Sequence, residues 1–397
     1  MQLKKKLRIT ALLLLPLFLI GCQNARDFQD LVIVTAVGID KSDKGADQIR
    51  ITAQIILPGN ITSGIGGAGG GGGGGSEGQK PYINVETSGN TVQTTLRSMT
   101  DYTINKLYLS HNEAIIFGRS IAKKGIRRHL DFFVRDNEGR PTTKIFVADN
   151  LASEVLDVAA SFETLPSSNL SSLIIDQKRT SYVKPVEMHE VVKKLLSKTA
   201  SFVLPIVSVE EMNGQKIHKI AGMAVFKSDK MVGELDKTES SGLLFALGEA
   251  KYGLTPVNYK DQEVSLEIIS SSSKIKPKID GENISFSIKI KMSTAISEQT
   301  GTEPIGKKED LDELEKLQKQ KIEEEVYSAF SAAKELNADI FGFGELLRKH
   351  YPEKWSELES NWDKVFKTVN INVSIDNQIR NMGLSSKPLV PEEKNVH

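Results

Sequence analysis

Cysteine is almost absent from this chain: Cys22 is the only one in 397 residues. No disulfide can therefore form within the part of the chain that follows it. The stability of that part must come from ordinary hydrophobic cores, and an apolar content of 39% is enough to build them. Beyond residue 20 the sequence also lacks any apolar run long enough to span a bilayer, so we expect the body of the protein to lie outside the membrane.

The residue patterns that carry catalysis or metal binding are missing as well. None of the six histidines stands at HxxH, HxH or HExxH spacing, so the sequence predicts no metal site. No G-x-S-x-G nucleophile motif occurs. The serine run 270–273 has no histidine near it, and the pair Glu210-Glu211 would need a cleft to act as glycosidase carboxylates. We therefore predict no enzymatic activity, no catalytic residues and no cofactor.

An excess of positive charge is missing too, because 51 Lys and Arg balance 51 Asp and Glu. Removal of residues 1–21 as a signal peptide would leave 47 basic and 51 acidic residues, a net charge of −4. Proteins that bind nucleic acid carry a strongly basic surface, so we predict no nucleic acid partner. At ~100–200 residues per domain, the length is typical of two or three domains.

The chain does have a distinctive N-terminus. Residues 1–8 carry four basic and no acidic side chains, residues 11–20 are apolar, and polar residues follow directly after Gly21-Cys22. This order is typical of a cleaved secretory signal, and we predict a signal peptide over residues 1–21. The apolar stretch is too short to span a bilayer as a helix, which takes ~20 residues.

The end of this segment, Leu19-Ile20-Gly21-Cys22, resembles the lipobox of bacterial lipoproteins. The resemblance implies cleavage before Cys22, S-diacylglycerol cysteine at its thiol and N-acyl cysteine (palmitate) at the new amino terminus. Two or three acyl chains on one residue give firm attachment, whereas a single chain is marginal. We therefore predict Cys22 as the lipid attachment site. The alternative is an ordinary secretory signal that happens to end in Gly-Cys.

Residues 22–199 are predicted to form an N-terminal α/β domain with a mixed sheet, because strand patterns alternate with helical ones. The strand patterns cover 31–40, 50–57, 82–87, 112–117 and 143–148, and the helical ones cover 91–104, 121–135, 151–160, 170–177 and 185–196. Asn150 is expected to cap the helix that starts at Leu151.

A glycine-rich run at 64–75 interrupts this domain. A phosphate-binding loop would need a Lys-Ser/Thr pair or a glycine pattern that opens a helix. Neither is present, so we predict a flexible hairpin loop between two strands.

Residues 200–256 are predicted to form a middle domain, with strands at 201–209 and 217–226, a hairpin turn near Asp229-Lys230 and a helix at 239–247. Residues 257–385 are predicted to form a C-terminal α/β domain. It comprises strands at 264–272 and 284–295 joined by a turn at 277–282, an amphipathic helix at 311–336 and a final strand at 370–379. Residues 386–397 are a polar tail. The predicted fold class is α/β (α+β), with three mixed-sheet-plus-helix domains after the signal peptide.

Several motifs, in their order along the chain, resemble the Ger(x)C lipoproteins, the C subunits of spore germinant receptors in endospore-forming bacteria. They are Leu31–Asp40 (LVIVTAVGID), Asn112–Gly118 (NEAIIFG), Gly222–Lys227 (GMAVFK) with Gly233–Leu235 (GEL), Ala338–Gly344 (ADIFGFG), Tyr351-Pro352, Trp355, Asn361-Trp362 and Asn381–Gly383 (NMG). Two features depart from the family. Gln23 and Asn24 stand where members usually have Trp and an acidic residue, and the glycine run resembles an insertion.

The resemblance implies a lipid-anchored, non-enzymatic protein of three mixed α/β domains on the outer face of the spore's inner membrane. It implies assembly with two integral-membrane partners, the A and B subunits, in a receptor needed for germination in response to nutrients. One alternative is a solute-binding lipoprotein of a transporter, which would normally have two similar lobes rather than three dissimilar sections. Another is a lipid-anchored cell-wall hydrolase, for which the sequence lacks a catalytic constellation.

Six residues of the C-terminal motifs are expected to determine the structure of the last domain. They are Phe341, Gly342, Phe343, Gly344, Trp355 and Trp362. Aromatic residues at such spacing belong to a core more often than to an interface, and we predict core positions for them. The two glycines are expected to allow a positive φ or close packing at a helix junction.

Overall fold

The computed structural model describes residues 31–45, 47–57, 80–103, 105–159 and 163–381. The predicted signal peptide, Cys22, the glycine-rich run at 64–75 and the tail at 386–397 lie outside these residues. Within the described ranges, every helix is too short or too polar to cross a membrane.

The first part of the described chain is built on one mixed sheet. Its strands are β1 (Val32–Lys41), β2 (Ile49–Ile56), β3 (Tyr82–Gly89), β4 (Leu107–Tyr108), β5 (Ala114–Phe117), β6 (Lys144–Ala148), β7 (Ser201–Met212), β8 (Gln215–Lys227) and β9 (Lys230–Leu235). Their order is β3-β2-β1-β5-β6-β7-β8-β9, with β4 beside β1. Strands β1, β5, β6 and β7 run parallel, and the strands at both ends are antiparallel.

Helices cover both faces of this sheet. They are α1 (Val92–Ser98), α2 (Arg119–Lys124), α3 (Arg127–Arg135), α4 (Ala152–Asp157), α5 (Pro166–Asp176) and α6 (Met188–Leu195). Because side chains alternate along a strand, Ala114 and Ile116 of β5 pack toward α4 and α5, while Ile115 and Phe117 pack toward the other helices. All four β5 residues are completely buried, as is typical of a central parallel strand.

The single helix predicted over 121–135 is wrong, because Gly125 separates α2 from α3. Gly125 has φ +128°, a conformation that other residues rarely adopt. A side chain there would also meet the Asp229 carboxylate at 2.5 Å. The helix therefore stops at Lys124 and restarts at Arg127.

The second part of the described chain has its own sheet, in the order β10-β11-β12-β13. The strands are β10 (Leu254–Tyr259), β11 (Gln262–Asp280), β12 (Asn283–Gln299) and β13 (Asn370–Asn381), and β13 runs parallel to β12. The helices are α7 (Lys237–Leu247), α8 (Lys308–Glu335), α9 (Phe343–His350), α10 (Pro352–Leu358) and α11 (Trp362–Thr368). Helix α8 lies along one face of the sheet, where Val326, Ala329 and Phe330 share a core with Phe286 and Ile288.

The predicted turn at 277–282 is too long, because β11 continues through Pro277 to Asp280. A proline cannot donate a ladder hydrogen bond, so it is tolerated only where its nitrogen faces an unpaired edge. Strand β10 pairs only with residues 262–267 of β11, which leaves the second half of β11 unpaired on that side.

The fold is α+β, as predicted, but its strands group into two sheets within the described residues. Strands β7–β9, assigned in the sequence to a separate middle domain, extend the first sheet. One hydrophobic cluster also runs continuously from Ala36 of the first sheet to Ile371 of the second. The division into three domains stays a prediction.

Buried His129 makes the stability of the first part sensitive to acid. Burial, helped by the neighbouring Arg128 guanidinium and opposed by Asp229, lowers the pKa of His129 to about 4. The unfolded chain protonates the same ring near 6.5. As the pH falls from about 6.5 to about 4, the unfolded state gains a proton that the folded state does not, and stability falls by up to about 3 kcal/mol.

We therefore expect His129→Gln to lose less stability than the parent protein between pH 7 and pH 4.5. The urea midpoint at the two pH values measures this difference. His350→Gln, at an exposed histidine, is the matched control and should retain the parent's acid sensitivity. Equal acid sensitivity in His129→Gln and the parent would contradict the assignment.

Candidate functional site

Two buried carboxylates belong to the sequence motifs, and each caps a helix. Asp40, the last residue of LVIVTAVGID, accepts hydrogen bonds from the backbone nitrogens of Ala152 (2.8 Å) and Ser153 (3.0 Å). The Arg50 guanidinium lies 3.8 Å from the same carboxylate. Burial raises the pKa of Asp40, against the lowering effect of these partners. Asp40 thus satisfies the free N–H groups at the start of α4.

The predicted cap at Asn150 is therefore wrong. The Asn150 side chain donates to the Glu154 carboxylate instead of accepting from the helix backbone. A second motif, NEAIIFG, contributes its last residue, Gly118, to this cap. A Cβ at Gly118 would collide with Oδ1 of Asp40. Glycine at 118 leaves the space that the Asp40 carboxylate fills.

Asp339 is the second cap and lies in the ADIFGFG motif. Its carboxylate accepts hydrogen bonds from the backbone nitrogens of Phe343 (2.9 Å) and Gly344 (2.7 Å), at the start of α9, and from Nε1 of Trp362 (3.2 Å). Burial raises the pKa of Asp339, and these three donors and the Lys194 ammonium act in the opposite direction. One carboxylate thus joins the start of α9 to α11.

The aromatic residues of the motif surround this cap. Phe343 stacks on Phe286 of β12 with ring centroids 4.0 Å apart, and it also stacks on Phe341 at 5.2 Å. Trp355 and Trp362 meet edge to face at 5.4 Å. These four motif aromatics are all less than 7% exposed. The prediction that they belong to the core is confirmed.

The two motif glycines have different roles, and both predictions for them are confirmed. Gly342 adopts φ +74°, the left-handed conformation that glycine favours, and starts α9 from there. Gly344 provides close packing: a Cβ there would lie 2.5 Å from Cγ2 of Thr199 and 2.9 Å from Cη2 of Trp355. Thr199 stands two residues before β7, so Gly344 lies where the second part of the chain meets the first.

Ion pairs extend this contact, which we call the FGFG junction (residues 338–366 with 198–201 and 227). Lys198 pairs with Glu359 and Lys227 pairs with Asp363, each at 2.8 Å. A polar cleft of about 240 Å³ runs along the junction and reaches Asp339. Among the described residues, no His, Cys, Asp and Glu side chains group to hold a metal ion. The arrangement fixes the two sheets relative to each other.

Neither Asp40 nor Asp339 was predicted from the sequence as a functional position. A local signal existed for Asp339, which stands four residues before Phe343 and immediately before a glycine-rich helix start. No local signal existed for Asp40, since its partner helix starts 112 residues later. Cys22, the predicted lipid site, lies outside the described residues.

Comparison with known proteins matches both parts of the chain to families. The model of the spore germination protein N-terminal domain matches residues 24–209, and that of the spore germination B3/GerAC-like C-terminal domain matches residues 221–383. The chain is 25% identical to spore germination protein KC of Bacillus subtilis (strain 168), over 97% of this chain and 98% of that protein. It is 24% identical to spore germination protein B3 of the same organism, over 94% and 96%.

A solved structure has the same fold. The crystal structure of the GerBC protein matches with a TM-score of 0.53 and 20% identity, covering 87% of this chain and 96% of that one. The two family matches together include both carboxylate caps and the whole FGFG junction.

Proposed function

This chain belongs to the GerAC-like family of spore germination proteins, and we propose that it is the lipid-anchored, non-enzymatic C subunit of a nutrient germinant receptor. The observation that carries the proposal is the length of the match. The two family models together match residues 24–209 and 221–383, and relatives named as spore germination proteins align with nearly the whole chain rather than with one shared domain.

The use of the motif residues supports a role without catalysis. Asp40 and Asp339 cap helices, and Gly118 and Gly344 allow close packing. These motif residues therefore stabilise the fold. This favours a protein that acts through its surface, as a subunit of a complex does.

The N-terminal sequence supports the proposed location. A lipobox that ends in the only cysteine of the chain would place acyl chains at Cys22 and hold the body on the outer face of the membrane. The integral-membrane A and B subunits of the receptor would be its partners there. A transporter's solute-binding lipoprotein has less support, because the two sheets differ in strand number and topology and do not form two similar lobes.

Cys22→Ala in the sporulating host tests this proposal. Removal of the thiol removes the acylation site, so we expect the protein to be lost from the spore membrane fraction. Nutrient-triggered germination should be slow or absent, while non-nutrient germination stays intact. Gln23→Ala, one residue further on, is the matched control and should retain both the membrane attachment and the nutrient response.

Membrane retention tests the lipid anchor, and nutrient-triggered germination tests the receptor role. Normal membrane retention of Cys22→Ala would mean that partners hold the body without its lipid. Loss of retention with fully normal nutrient germination, in a strain without other nutrient receptors, would refute the receptor role.

A further inference from the structure

One face of the second sheet carries five lysines that the proposed function does not use. They alternate along two neighbouring strands, and all five are exposed: Lys274, Lys276 and Lys278 on β11, and Lys289 and Lys291 on β12. The opposite side of the same strands is the core that packs against α8. We call this surface the lysine face.

The register of the sheet brings these charges together. Lys274 stands directly opposite Lys289, Lys276 is opposite Ser287, and Lys291 is opposite Ser272. Like charges directly opposite each other on neighbouring strands cost stability. None of the five lysines forms an ion pair with any residue that the structure describes. The fold thus keeps five positive charges close together without an ion pair, at some cost in stability.

The cluster is local. On β11 and β12, one acidic residue of this sheet face lies beside the lysines, namely Asp280, two residues beyond Lys278; the others, Glu263, Glu267 and Glu298, are exposed at its other end. Beside the lysines, β13 contributes Asp376, opposite Lys291, and otherwise small polar residues such as Asn372 and Ser374. Since the whole chain has equal numbers of acidic and basic residues, this separation is not a consequence of composition.

The chemistry of the face favours a membrane surface over a protein partner. Protein–protein interfaces are enriched in arginine and aromatic residues and depleted in lysine. The lysine face has no arginine among its five positive charges, and the residues directly opposite them are serines, a lysine and Asp376, none of which is aromatic. Anionic lipid headgroups, in contrast, attract lysine clusters without requiring shape complementarity, and each charge near the surface adds to the attraction.

We infer that the lysine face binds the anionic lipid headgroups of the membrane that carries the protein. The inference rests on the proposed function for one point, namely that acylated Cys22 keeps the body close to a membrane. Residues 23–31 link Cys22 to β1, and nine residues reach at most about 30 Å when fully extended. The tether keeps the body near the lipid, and the lysine face would set how the body lies against it.

Vesicle binding tests the inference without the lipid anchor. The mature chain, residues 22–397, carries Cys22→Ala so that no acyl chain contributes to binding. It is sedimented with vesicles of phosphatidylcholine alone or of phosphatidylcholine with about 30% phosphatidylglycerol, which gives a clear negative surface potential. We expect binding only to the anionic vesicles and loss of that binding in high salt. Changing the five lysines to glutamine should weaken the binding at least about tenfold.

The control changes five exposed lysines that lie elsewhere and form no ion pair in the described residues: Lys216, Lys230, Lys349, Lys364 and Lys367. This control variant changes the net charge by the same amount but leaves the lysine face unchanged, so it should bind anionic vesicles almost as the parent does. Removal of the repulsion between Lys274 and Lys289 should leave the melting temperature of the test variant unchanged or higher, which checks its fold.

Three outcomes would overturn the inference and leave the Cys22 test of the receptor role unaffected. The parent chain could fail to bind anionic vesicles, which would make the face merely solvated. The two variants could weaken binding equally, which would indicate net charge alone. The five-lysine variant could bind vesicles normally yet dissociate from a detergent-solubilised receptor complex, which would identify the face as a protein contact.

Discussion

Asp339→Ala is expected to lower the free energy of unfolding by about 3–5 kcal/mol, because it leaves three buried hydrogen-bond donors without an acceptor. These donors are the backbone nitrogens of Phe343 and Gly344 and the indole Nε1 of Trp362. All three point at one carboxylate that is only 4% exposed. No other described side chain accepts hydrogen bonds from these three donors, so the substitution leaves all three without a side-chain acceptor.

The design of this measurement uses the only two tryptophans of the chain. Trp355 and Trp362 both lie in the FGFG junction, so tryptophan fluorescence during urea denaturation reports on the junction itself. Asp339→Asn keeps the volume but turns an amide NH₂ toward groups that are themselves donors, and we expect a loss close to that of alanine.

Asp236→Ala is the matched control for the loss of an aspartate cap. Asp236 accepts from the backbone nitrogen of Glu239 at 2.8 Å, but it lies at the exposed start of α7. Water can replace it there, so its removal should cost only about 1 kcal/mol. If Asp339→Ala cost no more than Asp236→Ala, the buried cap would not hold the junction together.

The contrast between these caps shows what sequence patterns can predict. The cap at Asp236 is local, with its partner three residues later, and it belongs to a pattern that sequence analysis can recognise. Asp40 caps a helix that begins 112 residues later, and only the folded sheet brings the two together. Asn150 was therefore predicted as the cap of this helix, because it lies next to the helix and has a suitable residue type, but its side chain does not accept from the helix backbone.

Strands and helices were predictable where one face is buried along their whole length. The 28-residue α8 was expected at 311–336 and is found at 308–335, because its apolar residues recur with the helical period. The hairpin near Asp229-Lys230 was also found, between β8 and β9. Strand β10 was not predicted. It lies at the edge of its sheet, where its Pro256 is tolerated.

The candidate site was predicted only in part. The core positions of Phe341, Phe343, Trp355 and Trp362 followed from residue type and spacing. The carboxylate that organises them did not, because a buried charge is stable only with partners that the sequence alone does not place beside it. The grouping of β7–β9 with the first sheet was missed for the same reason, since strand order depends on contacts that are distant in sequence.

Gly242 is the position where a single methyl group is expected to disturb the contact between the two parts most directly. It lies in the middle of α7, which follows the last strand of the first sheet and packs across α8 of the second. A Cβ at Gly242 would overlap the carbonyl group of Glu325 and lie 2.8 Å from the backbone nitrogen of Val326. Since these are backbone atoms of another helix, no change of rotamer can relieve the overlap.

Gly242→Ala is therefore expected to lower the free energy of unfolding by about 2 kcal/mol, and Gly242→Val by more. The direction of this change in the free energy of unfolding is informative, because alanine in place of glycine normally stabilises the interior of a helix by about 1 kcal/mol. To insert the methyl group, α7 and α8 must separate, which also strains the hydrogen bond of 2.8 Å from Ser241 to Glu325. Urea denaturation followed by circular dichroism measures the change.

Thr238→Ala, at an exposed position of the same helix, provides the control and should change stability by less than about 0.5 kcal/mol. A Gly242→Ala protein as stable as the parent would mean that α7 and α8 can move apart at little cost, and the contact between the two sheets would then not be rigid. A large loss would mean that the two sheets are held by backbone contact at α7 as well as by the contacts of the FGFG junction. A rigid connection of this kind is what the proposed receptor subunit would need to transmit a change from one of its surfaces to another.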